Sequence, residues 1–221
     1  MAMVAAYAKK ALGDKIDMQL FKYPEDFSSY LDKNTPQIAC FSIFAWNNHL
    51  SHEYAKRLKE ADPKTITLFG GPNWPNHPEE KKEFLETWPS VDFAVEGEGE
   101  VVFVEFFKLL EKYNFDFEKI NKDKIKIPNT SYLHNGELIR GEVLPRLENL
   151  DQVPSVYENK LSDKFFDKHL IPMIKQQGAA HMPALSVMKD LYISTRLAAF
   201  LKKEQNTRLI TSQIKLKFLT L

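Results

Sequence analysis

Cysteine is nearly absent: Cys40 is the only one in 221 residues. That excludes an internal disulfide framework and any metal site built from several thiolates of this chain. Net charge is absent as well, with 30 basic residues against 30 acidic ones. No overall field therefore draws the chain toward nucleic acid or an acidic surface. The lysine-rich stretch 120–126 carries no interleaved aromatics, so it reads as a solvated run rather than a nucleic-acid surface. No apolar run approaches the ~20 residues that span a bilayer, and no charged segment leads into an apolar one as in a secretory signal. Internal repeats and low-complexity tracts are missing too. The expectation is a cytoplasmic protein with neither nucleic acid nor membrane among its partners.

What is present is an alternation of strand and helix patterns. "AMVAAYAKKAL" (2–12) is rich in helix formers and stops at Gly13. "KIDMQLF" (15–21) alternates apolar and polar residues, while "PQIACFSIF" (36–44) and "TITLFGG" (65–71) are the near-continuous apolar runs of strands buried on both faces. Leu50, Tyr54, Ala55 and Leu58 mark one face of a helix that ends before Pro63. Pro78, Glu79 and Glu80 fit a first helical turn, with Asn76 as its candidate cap. A third buried strand, "VDFAVEGEGE" (91–100), leads into an apolar-rich helix over 101–113. Connections this short imply parallel strands in a doubly wound α/β sheet of Rossmann or flavodoxin type. Residues 114–128 read as a solvated connection. Asn135-Gly136 between short alternating runs predicts a β-hairpin over 130–141, and 144–157 reads as an extended crossing segment.

In a flavodoxin-like order a strand precedes the first helix and lies at the centre of the sheet. The chain opens on the helix. The expectation is therefore a sheet whose first strand is missing, from a chain truncated at its N-terminus.

Ligands of such sheets bind at the carboxyl ends of the strands. Three loops gather there: "SIFAWNN" (42–48), "GGPNWP" (70–75) and "EGEGE" (96–100). The first offers a slot of aromatic rings with a few hydrogen-bonding tips. The second offers paired glycines that let backbone approach a large flat ligand. Taken singly, each is also an ordinary strand-to-helix turn. The third is no phosphate loop, because Glu100-Val101-Val102 follows Gly97-Glu98-Gly99 without the third glycine, and its carboxylates would repel a pyrophosphate. His49 and His52 lack a third ligand and read as surface residues, Cys40 reads as core, and Trp46 and Trp74 are open between core and ligand stacking. No metal ligand and no catalytic residue is expected among these positions.

These loops carry a resemblance. The stretch from "FSIFAWNN" through "VVFVEFF" is similar to the cobalamin-binding domain that precedes the catalytic barrel in B12-dependent radical S-adenosylmethionine enzymes. Gly70-Gly71-Pro72 after one strand and Gly97-Glu98-Gly99-Glu100 after the next are its most specific marks. The similarity continues through the hairpin, "LENLDQVPSVY" and "LSDKFFDKHLIPMI", and so reaches residue 174. The resemblance implies a Rossmann-like domain over 1–113 and a hairpin and linker over 114–174. It also implies a cobalamin site lined by Ser42, Phe44, Trp46, Asn47, Gly70, Gly71, Pro72, Asn73, Glu96, Gly97, Glu98 and Gly99. The histidine motif Asp-x-His-x-x-Gly is absent, so no axial ligand is assigned. In the intact parent a 4Fe–4S cluster and S-adenosylmethionine would complete the chemistry.

The family places a Cys-x-x-x-Cys-x-x-Cys loop after "PMI", where this chain has "KQQGAAHMPALSVMKD". Back-translated from Gln176 and read from the third base, that stretch permits Thr-Arg-Gly-Cys-Pro-Tyr-Ala-Cys-Ser-Phe-Cys-Asn-Glu-Gly. The second-base frame is closed by a stop forced at Met188-Lys189. Residues 175–221 are thus expected to be an out-of-frame tail, irregular or helical around 184–204, without a native domain and without catalysis. The alternative is a free-standing α/β small-molecule-binding or regulatory module. An enzymatic module would need a nucleophile, base or phosphate loop at the strand ends, and none is visible.

Overall fold

The structure, a computed structural model, describes residues 1–156, 161 and 163–165, and the backbone of 214–219. Its centre is a seven-stranded sheet with the order β1-β7-β2-β3-β4-β5-β6. Strands β1 (Ile16–Phe21), β2 (Ile38–Ser42), β3 (Ile66–Gly70) and β4 (Phe93–Val95) run parallel with β7 (Ile214–Leu219). The hairpin of β5 (Thr130–His134) and β6 (Glu137–Arg140) extends the β4 edge antiparallel. Its turn residues Asn135 and Gly136 have φ of 48° and 77°, the left-handed pair that a two-residue hairpin turn needs.

Alternation along the strands feeds two cores. Ile16, Leu20, Ile38, Cys40, Ile66, Leu68, Phe93 and Val95 pack on one face, under α1 (Ala2–Leu12) and α5 (Gly99–Lys112). Phe21, Ala39, Phe41, Phe69 and Ala94 pack on the other. That second face is covered by α2 (Pro24–Leu31), α3 (Asn48–Ala61) and α4 (Pro78–Thr87) through Phe27, Tyr54, Ala55, Leu58 and Leu85. The sheet is doubly wound, as the alternation predicts.

Four expectations change. The place expected for the missing strand is not empty, because β7 pairs with β1 from Ile16↔Ile214 to Phe21↔Leu219 and with β2 from Ile38↔Leu216 to Phe41↔Leu219. The reason is chemical: two neighbouring strands with open backbone groups accept any strand that can satisfy both. The C-terminal stretch is accordingly not wholly irregular or helical, while the helix expected at 184–204 lies outside the described residues. Residues 114–128 are not all connection, since α6 (Phe117–Lys122) forms there, capped by the Asp116 carboxylate accepting from Lys119 N at 3.0 Å. Helix α4 has His77 rather than Asn76 at its cap position, with no side-chain cap bond.

His52 is not a surface residue. It is 1% exposed and lies flat between Trp88 (3.9 Å, 4°) and Phe69 (4.8 Å, 12°), with neither ring nitrogen hydrogen-bonded. Burial, with a smaller push from His49, lowers its pKa to about 4. The unfolded chain takes up this proton near pH 6.5 and the folded chain only near pH 4, so stability falls as pH drops through that window. The full effect is about 3 kcal/mol at roughly 1.4 kcal/mol per unit. His52→Phe keeps the stacked ring and removes the proton. Urea unfolding at pH 7 and pH 4.5 should show a clearly smaller acid loss in the variant than in the wild type; equal losses would refute the assignment.

Candidate functional site

The carboxyl ends of β2, β3 and β4 open into a cavity of about 340 Å³. Its floor is the strand residues Cys40, Phe41, Leu68 and Phe69, and its sides are Ser42, Gly70, Gly71 and Val95. Helix α5 closes it with Gly99, Glu100 and Phe103, and Met1 and Val4 of the α1 end complete the wall. The three loops singled out in the sequence do converge, because parallel strands deliver their following loops to one edge.

Individual residues divide. Ser42, Phe44, Gly70, Gly71, Gly97, Glu98 and Gly99 line the cavity. Trp46, Asn47, Pro72, Asn73 and Glu96 do not. Asn47 is buried and spent on its own loop: its Oδ1 accepts from Phe44 N at 2.7 Å and its Nδ2 donates to Ser42 O at 2.8 Å. Asn73 joins the strand ends through its N–H to Ile43 O at 3.3 Å. Trp46 stands on the rim, 75% exposed and stacked on Phe44 at 4.6 Å and 14°. Trp74, by contrast, is buried edge-on against Phe84.

Pro72 and Glu96 face a second cavity, of similar volume, that shares Gly71, Val95, Gly97 and Glu98 with the first. The Glu96 carboxylate meets Lys81 Nζ at 2.7 Å, Ser131 Oγ at 3.0 Å and Arg140 at 3.5 Å. Burial alone would raise its pKa, but Lys81, Ser131 and Arg140 together outweigh it and hold the carboxyl below its ordinary value. Glu98 accepts from Leu147 N at 2.8 Å and so fastens the crossing segment to the sheet edge. Both acids thereby help to organise the wall.

Two features single out the first cavity as the candidate site. The Ser42 Oγ is buried in its wall without a hydrogen-bond partner, and a buried hydroxyl left unpaired costs about 1–3 kcal/mol. The glycines supply the room. A Cβ on Gly70 would lie 3.4 Å from Val95 Cβ, one on Gly99 3.0 Å from Val4 Cγ2, and one on Gly71, at φ 134°, 2.6 Å from Ile43 O. A flat aromatic group with one hydrogen-bonding atom suits this cradle. The apolar lining that sequence reading did not name, Cys40, Leu68, Val95 and Phe103, follows from the strand alternation and the inner face of α5. Burial raises the Cys40 thiol far above its ordinary pKa, which marks it as packing rather than a nucleophile. Among the described residues no group of three or more His, Cys, Asp or Glu side chains could hold a metal ion, and no helix is long and apolar enough to cross a membrane.

An open, mostly parallel α/β sheet with a glycine-walled cavity at its strand ends defines a small-molecule-binding domain of flavodoxin-like order. Residues 1–107 match the sequence model of the B12 binding domain family. Two curated relatives align over 122 residues, 55% of this chain. The 2-(S-pantetheinyl)-carbapenam-3-carboxylate methyltransferase of Streptantibioticus cattleyicolor is 30% identical, and the cobalamin-dependent radical SAM methyltransferase TokK of Streptomyces tokunonensis is 33% identical. The alignment spans only 16% of the length of either relative.

Proposed function

We propose that this domain holds cobalamin across the carboxyl ends of β2, β3 and β4, as part of a cobalamin-dependent radical S-adenosylmethionine methyltransferase. The observation that carries the reading is the glycine-walled cavity with the unpaired Ser42 hydroxyl, inside the stretch that matches the B12 binding domain. The cavity has room for one flat aromatic arm of the cofactor and not for its macrocycle. Ser42 would donate to that arm, Gly70, Gly71 and Gly97–Gly99 would let it lie against backbone, and the Phe44–Trp46 stack would flank the macrocycle at the rim. Asn47, Pro72, Asn73 and Glu96 would hold the loops in place. No side chain is assigned to the cobalt. Bound cobalamin would carry a methyl group or tune a radical, and a 4Fe–4S cluster and S-adenosylmethionine would belong to the intact parent enzyme, since Cys40 is this chain's one cysteine. The free-standing regulatory module is disfavoured by the family match, and the chain's own residues supply binding and orientation rather than catalysis.

The test is a titration with hydroxocobalamin, followed by absorbance and calorimetry. Saturable one-to-one binding is expected. Ser42→Ala should weaken it about 3- to 10-fold, the worth of one hydrogen bond, while leaving the thermal midpoint equal or raised, because an unpaired buried hydroxyl is gone. Absence of binding by the wild type at high micromolar cofactor would overturn the proposal. Unchanged affinity in Ser42→Ala would remove that residue from the site.

A further inference from the structure

β7, an inner strand one place from the β1 edge of the sheet, is also the last in sequence of the described strands. Its neighbours β1 and β2 are the first two strands in sequence, yet they do not pair with each other: β7 lies between them, matched to six residues of β1 and four of β2. The first two strands and their helices frame the slot it fills. On one face Phe27 of α2 lies 5.1 Å from Phe21 of β1, 6.3 Å from Phe41 of β2 and 5.0 Å from Tyr54 of α3, so a single ring bridges the two lips. On the other face Ala5, Ala8 and Leu12 of α1 belong to one core with Ile16 and Leu20 of β1 and Ile38 and Cys40 of β2. Both lips and the Phe27 face thus come from residues 16–58, while α1 and α5 share the core on the other face.

The occupant is an imperfect one. Central parallel strands covered on both faces are near-continuously apolar, whereas "IKLKFL" alternates, with Lys215 and Lys217 between Ile214, Leu216 and Phe218. Its carboxyl end, at Leu219, is level with Phe41 and Phe21. That is the edge where Cys40, Phe41 and Ser42 form a wall of the cavity.

We propose that the position between β1 and β2 is a strand-acceptor site. The chain's own Ile214–Leu219 docks there in a separable step, and its docking braces the β2 wall of the cavity. The backbone satisfies the ladder on both sides, and the two lysines keep the strand exchangeable. The inference does not depend on cobalamin.

Hydrogen exchange by mass spectrometry on the full chain tests it. Amides of 214–219 should be slowed at least ~100-fold relative to unstructured peptide, as in-register ladder amides are. Leu216→Pro removes a ladder donor from the strand. It should release 214–219 and accelerate exchange in 38–42, while 130–140, at the far edge of the sheet, stay protected. A peptide of residues 212–221 added to that variant should restore protection in 38–42, and Leu216→Ile should behave as the wild type. K215V/K217V should slow exchange of 214–219 about 10-fold further. Unprotected 214–219 in the wild type overturns the proposal. So does protection of 38–42 that is indifferent to Leu216→Pro, or lost together with 130–140 and not restored by the peptide. No slowing in K215V/K217V refutes the role given to the lysines. Concentration-dependent dimers by light scattering would assign the strand to a second copy and overturn the intramolecular form.

Discussion

Replacing Gly70 with leucine is expected to abolish cobalamin binding, by at least ~100-fold, while the sheet stays folded. Gly70 ends β3, and strand alternation puts it on the face of Leu68, which lines the floor of the cavity. A Cβ there meets Val95 Cβ at 3.4 Å, ordinary contact rather than collision. The rest of a leucine side chain has only the cavity to enter. Its volume displaces the group the cavity would hold, and the structural cost is that of overpacking, about 1–3 kcal/mol. Gly71 gives the contrast. Its φ of 134° and the 2.6 Å approach to Ile43 O mean that even alanine strains the backbone there, so loss of binding in Gly71→Ala would be confounded by unfolding. The measurement is a hydroxocobalamin titration of Gly70→Leu beside near-ultraviolet circular dichroism. A folded variant that binds as the wild type does would move the cofactor site away from this cavity.

The gathering of this site at one sheet edge was legible in the sequence, and the division of labour within it was not. "PQIACFSIF" and "TITLFGG" are apolar at nearly every position, a pattern that only strands covered on both faces sustain. Once they are parallel, their following loops must meet. Polar side chains in a strand-end loop, such as Asn47 and Glu96, look available to a ligand. In the fold Asn47 also bonds Phe44 and Ser42 backbone, and Glu96 meets Lys81 and Ser131. Such local satisfaction depends on backbone geometry that residue type does not encode. Helix α2 escaped notice because its eight residues bury only Phe27. Pairing of β7 with β1 joins residues almost 200 positions apart, and no local period announces a register of that kind. The same non-local pairing explains why the gap between β1 and β2, inferred from the order of elements, is filled.

The largest effect on stability is expected far from the cavity, at the amino-terminal edge of the sheet. Asp92, 8% exposed, sits just before β4 and accepts from Thr67 N at 2.8 Å and from Lys59 Nζ at 2.5 Å. Thr67 Oγ1 in turn accepts from Asp92 N at 2.9 Å and donates to Ser90 O at 2.6 Å. Two strands and α3 are thereby joined through one carboxylate. Burial pushes the Asp92 pKa up, and Lys59 and Thr67 only partly offset it, so the group is costly to bury and more costly to half-remove. Asp92→Ala leaves the Thr67 N–H without an acceptor and Lys59 without its partner. Breaking a buried pair from one side costs about 3–5 kcal/mol. Lys59 can relax, being 20% exposed and already 3.3 Å from Pro63 O, which places the loss toward the lower end of that range. Asp92→Asn keeps an acceptor for Thr67 N and should lose less than Asp92→Ala. Urea unfolding at pH 7 gives the comparison. A loss below ~1 kcal/mol in Asp92→Ala would mean that the burial cost of the carboxylate cancels its bonds, as buried ion pairs sometimes do. Cobalamin affinity of the folded fraction should be unchanged in either variant, because none of these groups lines the cavity.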